Sequence, residues 1–238
     1  MASTMIGWFG DGNGYVGNLN LAPERADTVS GAVTFSGAGS TPWSIRVAPY
    51  FSHVADYIDV VPLGPITDMM GMPTGFVQLQ FANREAHFYG LDVSGDVDLW
   101  RGTNGGAARL TLGASWLHGQ NLADHDPLYH QMPFNASARL DYADDGWDGH
   151  VTLTGVADKT RVDPTRMEPE TNGYALVDLG AGYSWHGFRL GANVTNLFDT
   201  AYAPPLGGQS LGDFIATGDL RPVPGRGRSF NLSLGKKF

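Results

Sequence analysis

Two short clusters of methionine and histidine are the residues in this sequence best suited to bind a soft metal ion. The first cluster, Asp68-Met-Met-Gly-Met72, supplies Met69, Met70 and Met72, and the second is His130-Gln-Met132. Thioether and imidazole groups suit copper. Side chains at i and i+2 of an extended chain share a face, so His130 and Met132 are placed to reach one ion. The plainer interpretation, which the pattern alone favours, is that loop methionines fill gaps and His130 is solvated.

A set of ionisable residues lies on the polar side of segments that alternate in polarity. Paired carboxylates perform general acid–base chemistry when burial raises one pKa, but a hydrated face keeps such shifts small. We therefore predict no catalytic residue and no enzyme activity. We interpret the set as a wall that tolerates cations, or as acids that pair with the arginines across strands. It consists of Asp92, Asp96, Asp98, Arg139 and Arg189.

Composition excludes several classes of protein. The chain has 238 residues, with 15 Lys and Arg against 24 Asp and Glu, so its formal charge of −9 argues against a nucleic-acid partner. Cysteine is absent, which removes disulfides and thiolate ligands. No stretch approaches the roughly 18 apolar residues of a membrane helix. The first eight residues have neither the basic nor the apolar region of a signal peptide.

Strict alternation of apolar and polar residues predicts β-strands rather than helices. One pattern keeps the same parity from Val77 to Leu99 and predicts a single long strand, although a one-residue slip at a turn near 83–85 would also preserve parity. Nine strands are predicted, near residues 26–37, 45–51, 77–99, 109–116, 134–142, 151–157, 174–185, 188–195 and 229–235.

The connections between these strands alternate in length. Short turns are expected near 38–42, 101–106, 144–147 and 186–187, and long loops near 61–73, 120–131, 163–172 and 203–225. Tight turns at one end and long loops at the other are typical of an antiparallel transmembrane β-barrel with a polar lumen. A soluble sandwich also alternates in polarity, but it has no reason to sort its loops by end. The acids and arginines named above are then lumen-facing.

The odd strand count indicates part of a larger barrel. In an up-and-down sheet the first and ninth strands run in the same direction, whereas bacterial single-chain barrels normally have even strand counts. Residues 1–25 are rich in glycine and loop-like. We therefore expect 1–25 to be an extracellular loop remnant and 26–238 to be the C-terminal strands of the barrel.

Several motifs resemble, in order, the C-terminal half of a TonB-dependent outer-membrane receptor. They are Gly17-Asn-Leu-Asn-Leu-Ala-Pro-Glu24 with Thr28-Val-Ser30, Pro49-Tyr-Phe-Ser-His-Val-Ala-Asp-Tyr-Ile-Asp59, Phe81-Ala-Asn-Arg-Glu-Ala-His-Phe-Tyr-Gly-Leu-Asp-Val-Ser-Gly95, Asn193-Val-Thr-Asn-Leu-Phe-Asp199 with Tyr202, and the C-terminal residues 227–238. A narrower resemblance, to the copper-type receptors, rests on Gly7-Trp-Phe-Gly-Asp-Gly-Asn-Gly-Tyr-Val-Gly-Asn18, Tyr129-His-Gln-Met-Pro133, Ala203-Pro-Pro-Leu-Gly-Gly208 and Pro222-Val-Pro-Gly-Arg226.

The resemblance implies a 22-strand barrel of which this chain supplies about nine strands, without the N-terminal plug. It implies residence in the outer membrane of a Gram-negative type of cell, contact with its lipid, and contact with TonB only through the missing plug. No cofactor is expected, and copper enters as a transported ligand. The terminal strand carries the pattern that the barrel-assembly machinery reads, except that Lys236 replaces an apolar residue. The pattern consists of Phe230, Leu232, Leu234 and Phe238.

Three functions remain open at this point. The first is uptake of a scarce ligand, copper or a metal complex, by an outer-membrane receptor. The second is a truncated or split-gene barrel remnant without transport activity of its own. The third is a small passive pore, against which the odd strand count argues.

Overall fold

Long antiparallel strands form most of the protein in the computed structural model, which describes residues 4–6, 11–102 and 105–236. Residues 7–10 of the glycine-rich motif and Phe238 of the predicted assembly signal lie outside the described residues. The elements are β1 (Thr4–Ile6), β2 (Gly14–Val16), β3 (Arg25–Ser30), β4 (Val33–Gly37), β5 (Trp43–Thr67), β6 (Pro73–Arg101), β7 (Ala107–Asn121), β8 (Asn135–Asp144), β9 (Trp147–Val156), β10 (Tyr174–Trp185), β11 (Phe188–Thr195), β12 (Gln209–Ser210), α1 (Leu211–Thr217), β13 (Arg221–Pro222) and β14 (Ser229–Lys236).

The main sheet is an up-and-down meander. Strands β3 and β4 both pair with β5 and together form one interrupted edge strand. Each of the following strands then pairs antiparallel with the next, in the order β5, β6, β7, β8, β9, β10, β11 and β14. The predicted nine-strand arrangement is therefore confirmed. Within the described residues the two outer edges, β3 with β4 and β14, do not pair with each other, so the sheet is open.

One strand pair extends well beyond its predicted limits. The prediction of a long loop near 61–73 is wrong, because β5 continues to Thr67 and β6 begins at Pro73. Pro62, Gly64 and Pro65 gave the sequence of this region the composition of a loop. Register shifts between Pro62 and Gly64 and between Pro65 and Thr67 absorb these residues within the hairpin. The expectation that β6 is one continuous strand is confirmed.

The register gives the sheet one polar and one apolar face. Asp98 lies opposite Arg109, and the same row of paired residues continues across the sheet through Asp141, His150, Gly180, Asn193 and Asn231. The neighbouring row runs through Val97, Leu110, Leu140, Val151, Leu179, Val194 and Phe230. Because successive side chains point to opposite faces, these two rows lie on opposite sides of the sheet.

The apolar face has no protein covering it in the described part of the chain. On β14, Phe230, Leu232 and Leu234 are 69%, 83% and 71% exposed. These are the described members of the predicted assembly pattern, and they pair with Val194, Ala192 and Leu190 of β11. An apolar surface of this extent requires a partner other than water.

At the long-loop end, the N-terminal residues fold back onto the sheet. Strand β2 pairs in parallel with Gln78–Gln80 of β6, beyond Ala86, where the pairing of β7 with β6 ends. Tyr15, Val60 and Leu79 form a buried core there, with Val77 and Phe81 packed against it. The sheet therefore has its own small core at this end.

The last long loop contains the short helix α1. Ser210 caps its N-terminus, and Gly218 ends it in the left-handed conformation. Phe214 of α1 packs against Phe76 of β6, with ring centroids 4.7 Å apart. This contact joins the loop to the β5–β6 hairpin. Within the described residues, no helix has the length and apolar character needed to span a membrane.

Candidate functional site

A buried polar cluster joins the segments at the long-loop end, and we refer to it as the loop cluster. It draws on the N-terminal segment, on β5 and β7, on the β7–β8 and β9–β10 loops, and on β12. It consists of Asp11, Asn13, Tyr15, Asp59, Asn121, Tyr129, His130, Lys159, Asp163, Arg166, Glu168 and Gln209.

A buried ion pair lies at the centre of the loop cluster. Lys159 is only 2% exposed, and its Nζ donates to a carboxylate oxygen of Glu168 and to the carbonyl of Pro205 at 2.9 Å. The same carboxylate accepts the backbone N–H of His130 at 3.0 Å and that of Asp163 at 2.9 Å. Glu168 thus connects the β7–β8 and β9–β10 loops, Lys159 adds the loop that contains Pro205, and both carboxylate oxygens of Glu168 accept hydrogen bonds.

The guanidinium of Arg166 forms a second centre. It lies 4.7 Å from the ring centroid of Tyr129 and 5.8 Å from that of Tyr15, within the range of cation–π contact. Its nitrogens are 3.3 Å from Asp163 Oδ2 and 3.4 Å from Asp59 Oδ1. Tyr15 of β2, Asp59 of β5 and Tyr129 of the β7–β8 loop therefore contact Arg166 from outside the β9–β10 loop. Asp163 pairs with it from within that loop.

Asn13 connects the N-terminal segment to the same loop. Its Nδ2 donates to the carbonyl of Arg166 at 3.0 Å, and its Oδ1 accepts the backbone N–H of Val77 at 3.0 Å. Nearby, the hydroxyl of Tyr15 donates to Asp11. In the sequence, residues 11–15 have the composition of a glycine-rich loop. The contacts of Asn13 are with residues more than sixty positions away, and contacts over that distance leave no local sequence pattern.

Burial changes the acid–base properties of the loop cluster. It raises the pKa of Asp163 to about 6, with a further contribution from the Asp59 carboxylate. Burial also raises the pKa of Tyr129 to about 12 and lowers that of His130.

The loop cluster also has a net negative charge. Four carboxylates face two cations, so its formal charge is 2 − 4 = −2 when all of them are ionised. A cation is therefore favoured there over an anion. The carboxylates belong to Asp11, Asp59, Asp163 and Glu168, and the cations to Lys159 and Arg166.

The three predicted methionine ligands lie together on the turn between β5 and β6. Met69, Met70 and Met72 are 106%, 86% and 62% exposed. Asp68 Oδ1 accepts the backbone N–H groups of Met70 and Met72, both at 2.9 Å, which closes the turn. We call this the methionine turn. Its three thioethers point away from packed side chains.

His130 and Met132 are not arranged as the sequence suggested. His130 has a φ of +59°, so the extended backbone that would place i and i+2 on one face is absent. Its ring stacks on Tyr129, with centroids 4.0 Å apart, and it lines a cleft that also contains Gln209. Met132 instead lines a second cleft with Trp116. Among the described residues, no group of three or more histidine and carboxylate side chains is arranged to hold a metal ion.

The three predicted wall acids bond within the sheet, but not to the predicted arginines. Asp92 accepts from Ser115 Oγ and Asp96 from Ser44 Oγ, both at 2.7 Å. Asp98 accepts from Arg109 at 2.6 Å, because the register places these two residues opposite each other. The predicted pairing of the acids with Arg139 or Arg189 is wrong.

Arg139 and Arg189 have other carboxylate partners on the same polar face. Arg139 donates to Asp141 two residues along its own strand, at 2.7 to 2.9 Å. Arg189 forms a two-pronged contact with Asp148, one arm measuring 2.7 Å. Arg139 shares a row with Asp96 through Thr111, which places it on the face of the wall acids. Their lumen-facing position stays a prediction.

Residues 2–197 match the family described as "TonB dependent receptor-like, beta-barrel". No curated protein sequence matches the chain.

Solved structures with the same fold include several transporters. The copper transporter OprC is 21% identical with a TM-score of 0.75 over 91% of this chain and 32% of its own. The ferric-catecholate import receptor Fiu from Escherichia coli K12 is 15% identical with a TM-score of 0.61, over 93% and 29%. The outer membrane transporter YddB from Escherichia coli is 12% identical with a TM-score of 0.62, over 96% and 34%. The chain thus spans about a third of the length of the structures it matches, and these likenesses show the fold alone.

Proposed function

Because the chain belongs to the TonB-dependent receptor-like β-barrel family, we propose that it supplies the C-terminal strands and loops of an outer-membrane receptor that takes up a scarce ligand. The family match over residues 2–197 carries this proposal. Family membership also agrees with the expectation that the chain is not an enzyme.

The shape of the sheet supports a role as barrel wall. One face is apolar and carries exposed side chains on β7 to β11 and on β14, which suits contact with outer-membrane lipid. The opposite face carries ion pairs and hydrogen-bonded polar side chains, which suit a hydrated lumen. The open edges leave room for further strands on both sides. In this proposal the missing N-terminal part provides those strands, the plug and the contact with TonB.

The ligand in this proposal is copper or a metal complex. The methionine turn supports it, since three exposed thioethers on one short turn form a soft donor set of the kind that suits Cu(I). One neighbour with this fold is a copper transporter, which agrees with the proposal without carrying it. The geometry does not support a shared ion between His130 and Met132, so the methionine turn is the stronger of the two predicted clusters.

Copper accumulation by cells tests this proposal. The whole receptor carrying this segment is expressed at low copper, in cells with and without a functional TonB, and cell copper is measured by mass spectrometry. We expect TonB-dependent accumulation that falls when Met69, Met70 and Met72 are all changed to leucine. Met132→Leu is the matched control and leaves accumulation unchanged.

Other outcomes identify the competing functions. Copper entry that does not depend on TonB indicates a passive pore. A receptor that reaches the cell surface but accumulates no copper in either strain indicates a different ligand or an inactive remnant. Both results contradict copper uptake by this receptor.

A further inference from the structure

A cleft opens on the apolar face of the sheet at the long-loop end, and we refer to it as the outer cleft. Trp116 of β7 and Phe134, just before β8, line it and are 42% and 49% exposed. Met132 and Pro133 add further apolar surface, and Arg161 adds a guanidinium. The outer cleft has a volume of about 550 Å³. It therefore combines large apolar side chains with a cation, as a site for an amphipathic molecule requires.

A groove of small side chains continues from the outer cleft along the same face. The register places Ala114, Ala136, Gly155 and Ala175 in one row across β7 to β10. The first three lie two positions along the chain from residues of the outer cleft, so their side chains share its face. A side chain added at Gly155 would meet no atom within 4 Å, which shows that the groove is open there.

The width of this groove suits more than one hydrocarbon chain. The row of small residues spans three gaps between neighbouring strands, or about 14 Å in total. A hydrocarbon chain is about as thick as one such gap. Leu112 and Leu153 border the groove, which has a volume of about 780 Å³. Several acyl chains can therefore lie side by side on this part of the sheet.

Aromatic rings beside the outer cleft indicate the level of a membrane interface. Trp116 and Tyr89 pack edge to face, with ring centroids 5.6 Å apart, and Tyr89 stacks on His118 at 4.6 Å. Tryptophan and tyrosine are enriched at the headgroup level of membrane proteins. The outer cleft then lies at headgroup depth and the groove at the depth of the acyl chains.

Arg161 gives the outer cleft its preference for an anion. Its Nη2 donates to the carbonyl of Gly119 at 3.4 Å, and within the described residues no carboxylate forms an ion pair with it. Lys159 also lines the outer cleft but is paired within the loop cluster. Asp158 directs its Oδ1 to the backbone N–H of Gly173, at 2.5 Å. The planar guanidinium, with five N–H donors, matches the geometry of a phosphate.

We propose that the outer cleft and the groove together bind one phosphorylated glycolipid with several acyl chains, of the lipid A type. Arg161 binds a phosphate of the headgroup, Trp116 and Phe134 pack beside its sugar, and the acyl chains lie on the row of small residues. The inference rests on the proposed function, which places the apolar face in an outer membrane with the long loops outside. It adds a specific lipid site to that general contact.

Native mass spectrometry of the purified whole receptor, titrated with lipid A, tests the headgroup contact. We expect one lipid A to be retained, and to bind about 10–100-fold more weakly in Arg161→Gln, as expected for loss of hydrogen bonds to a charged group. Arg161→Lys keeps the charge without the forked donors, so its affinity should lie between the two. Arg221→Gln removes a cation outside the outer cleft and should bind lipid A like the parent.

Gly155→Leu tests the groove independently of charge. The leucine side chain fills open space, so the fold is retained while the acyl chains lose contact surface. We expect lipid A to bind at least about fourfold more weakly, the effect of one methylene group kept out of the groove. Leu190→Phe enlarges an exposed side chain on β11, outside the groove, and should leave the affinity unchanged.

Two further lipids test the chemistry of the ligand. Lipid A without its phosphates should bind to the parent as weakly as intact lipid A binds to Arg161→Gln. Phosphatidylglycerol, with two acyl chains, should bind more weakly than lipid A. Equal affinity of the parent for lipid A with and without phosphates, or an unchanged affinity in Arg161→Gln and Gly155→Leu, would overturn the inference. Equal affinity for phosphatidylglycerol would overturn the assignment to a lipid with several acyl chains.

The two proposals fail separately. If the variants lose lipid A as expected but cells accumulate no copper, the lipid site exists and the uptake proposal is wrong. If copper uptake depends on TonB and on the methionine turn while the variants bind lipid A like the parent, only the lipid site is wrong.

Discussion

At the scale of single residues, the buried pair Lys159–Glu168 holds the long loops together. Removing one partner of a buried ion pair leaves an uncompensated charge and typically costs about 3–5 kcal/mol. In Lys159→Met we therefore expect the free energy needed to open the β9–β10 loop to fall by about that amount. Hydrogen exchange at the amides of His130 and Asp163, which both donate to Glu168, measures the change directly.

The exposed pair Arg221–Asp219, at 3.4 Å, provides the control. Both side chains are more than half exposed, so Arg221→Met should change loop exchange by less than about 1 kcal/mol. Equal protection of the His130 amide in the parent and in Lys159→Met would show that the loops are held by other contacts.

Asp163 gives the loop cluster a pH dependence of unusual sign. Its pKa rises from 3.8 to about 6 on burial, so the folded loop binds this proton more tightly than the unfolded chain does. The resulting stabilisation is complete below about pH 4 and is lost as the pH rises through 6. Asp163→Asn should flatten the slope of loop stability against pH between pH 4 and 6.

Hydrogen exchange of the β9–β10 loop, corrected for intrinsic rates at each pH, measures this slope. Asp219→Asn, at an exposed carboxylate, should leave the slope as it is in the parent. A loop that becomes more stable from pH 4 to pH 6 would contradict the raised pKa.

At the scale of elements, local patterns predicted the strands and not the contacts between loops. Alternation of apolar and polar residues is a local property, so the faces of β7 to β11 could be assigned from the sequence. The prolines and glycine in 62–65 concealed the extension of β5, because register shifts that absorb them depend on the partner strand. The bond from Asn13 to Arg166 spans 153 positions, and no periodic pattern reports it.

The position of the two loop ends in a membrane can be tested with peptide tags. If the long-loop end lies outside the cell, tags inserted at Asp68 or Ser210 of the whole receptor should be labelled on intact cells. A tag at Asp145, in the tight β8–β9 turn, should be labelled only after permeabilisation. Labelling of intact cells at Asp145 alone would show that the sheet has the opposite orientation in the membrane.

The terminal strand should govern insertion into the outer membrane. Its alternating residues Phe230, Leu232 and Leu234 are exposed on the apolar face, and Lys236 places its ammonium 5.1 Å from the ring of Phe188. Deletion of Phe238 should therefore reduce insertion more than Lys236→Tyr does, since tyrosine retains the packing on Phe188. The amount of heat-modifiable receptor in outer-membrane fractions measures both effects. Equal insertion with and without Phe238 would contradict the prediction that the terminal strand governs insertion.

At the scale of the whole molecule, the meander cannot close on itself. Eight antiparallel pairings separate the β3–β4 edge from β14, so the two edges run in the same direction. An up-and-down sheet provides no parallel seam between them. In lipid, each unpaired backbone group along an open edge costs several kcal/mol.

Residues 1–238 alone should therefore not form a closed, stable barrel. The edge strands, six and five residues in β3 and β4 and eight in β14, are long enough to expose rows of unpaired N–H and C=O groups. Such edges pair with other chains, so the isolated chain should associate edge to edge or require its missing strands. Refolding in detergent, followed by electrophoresis of unheated and boiled samples, measures this. A compact monomer band that shifts on heating, with protease-resistant strands, would show that the edges close without further strands.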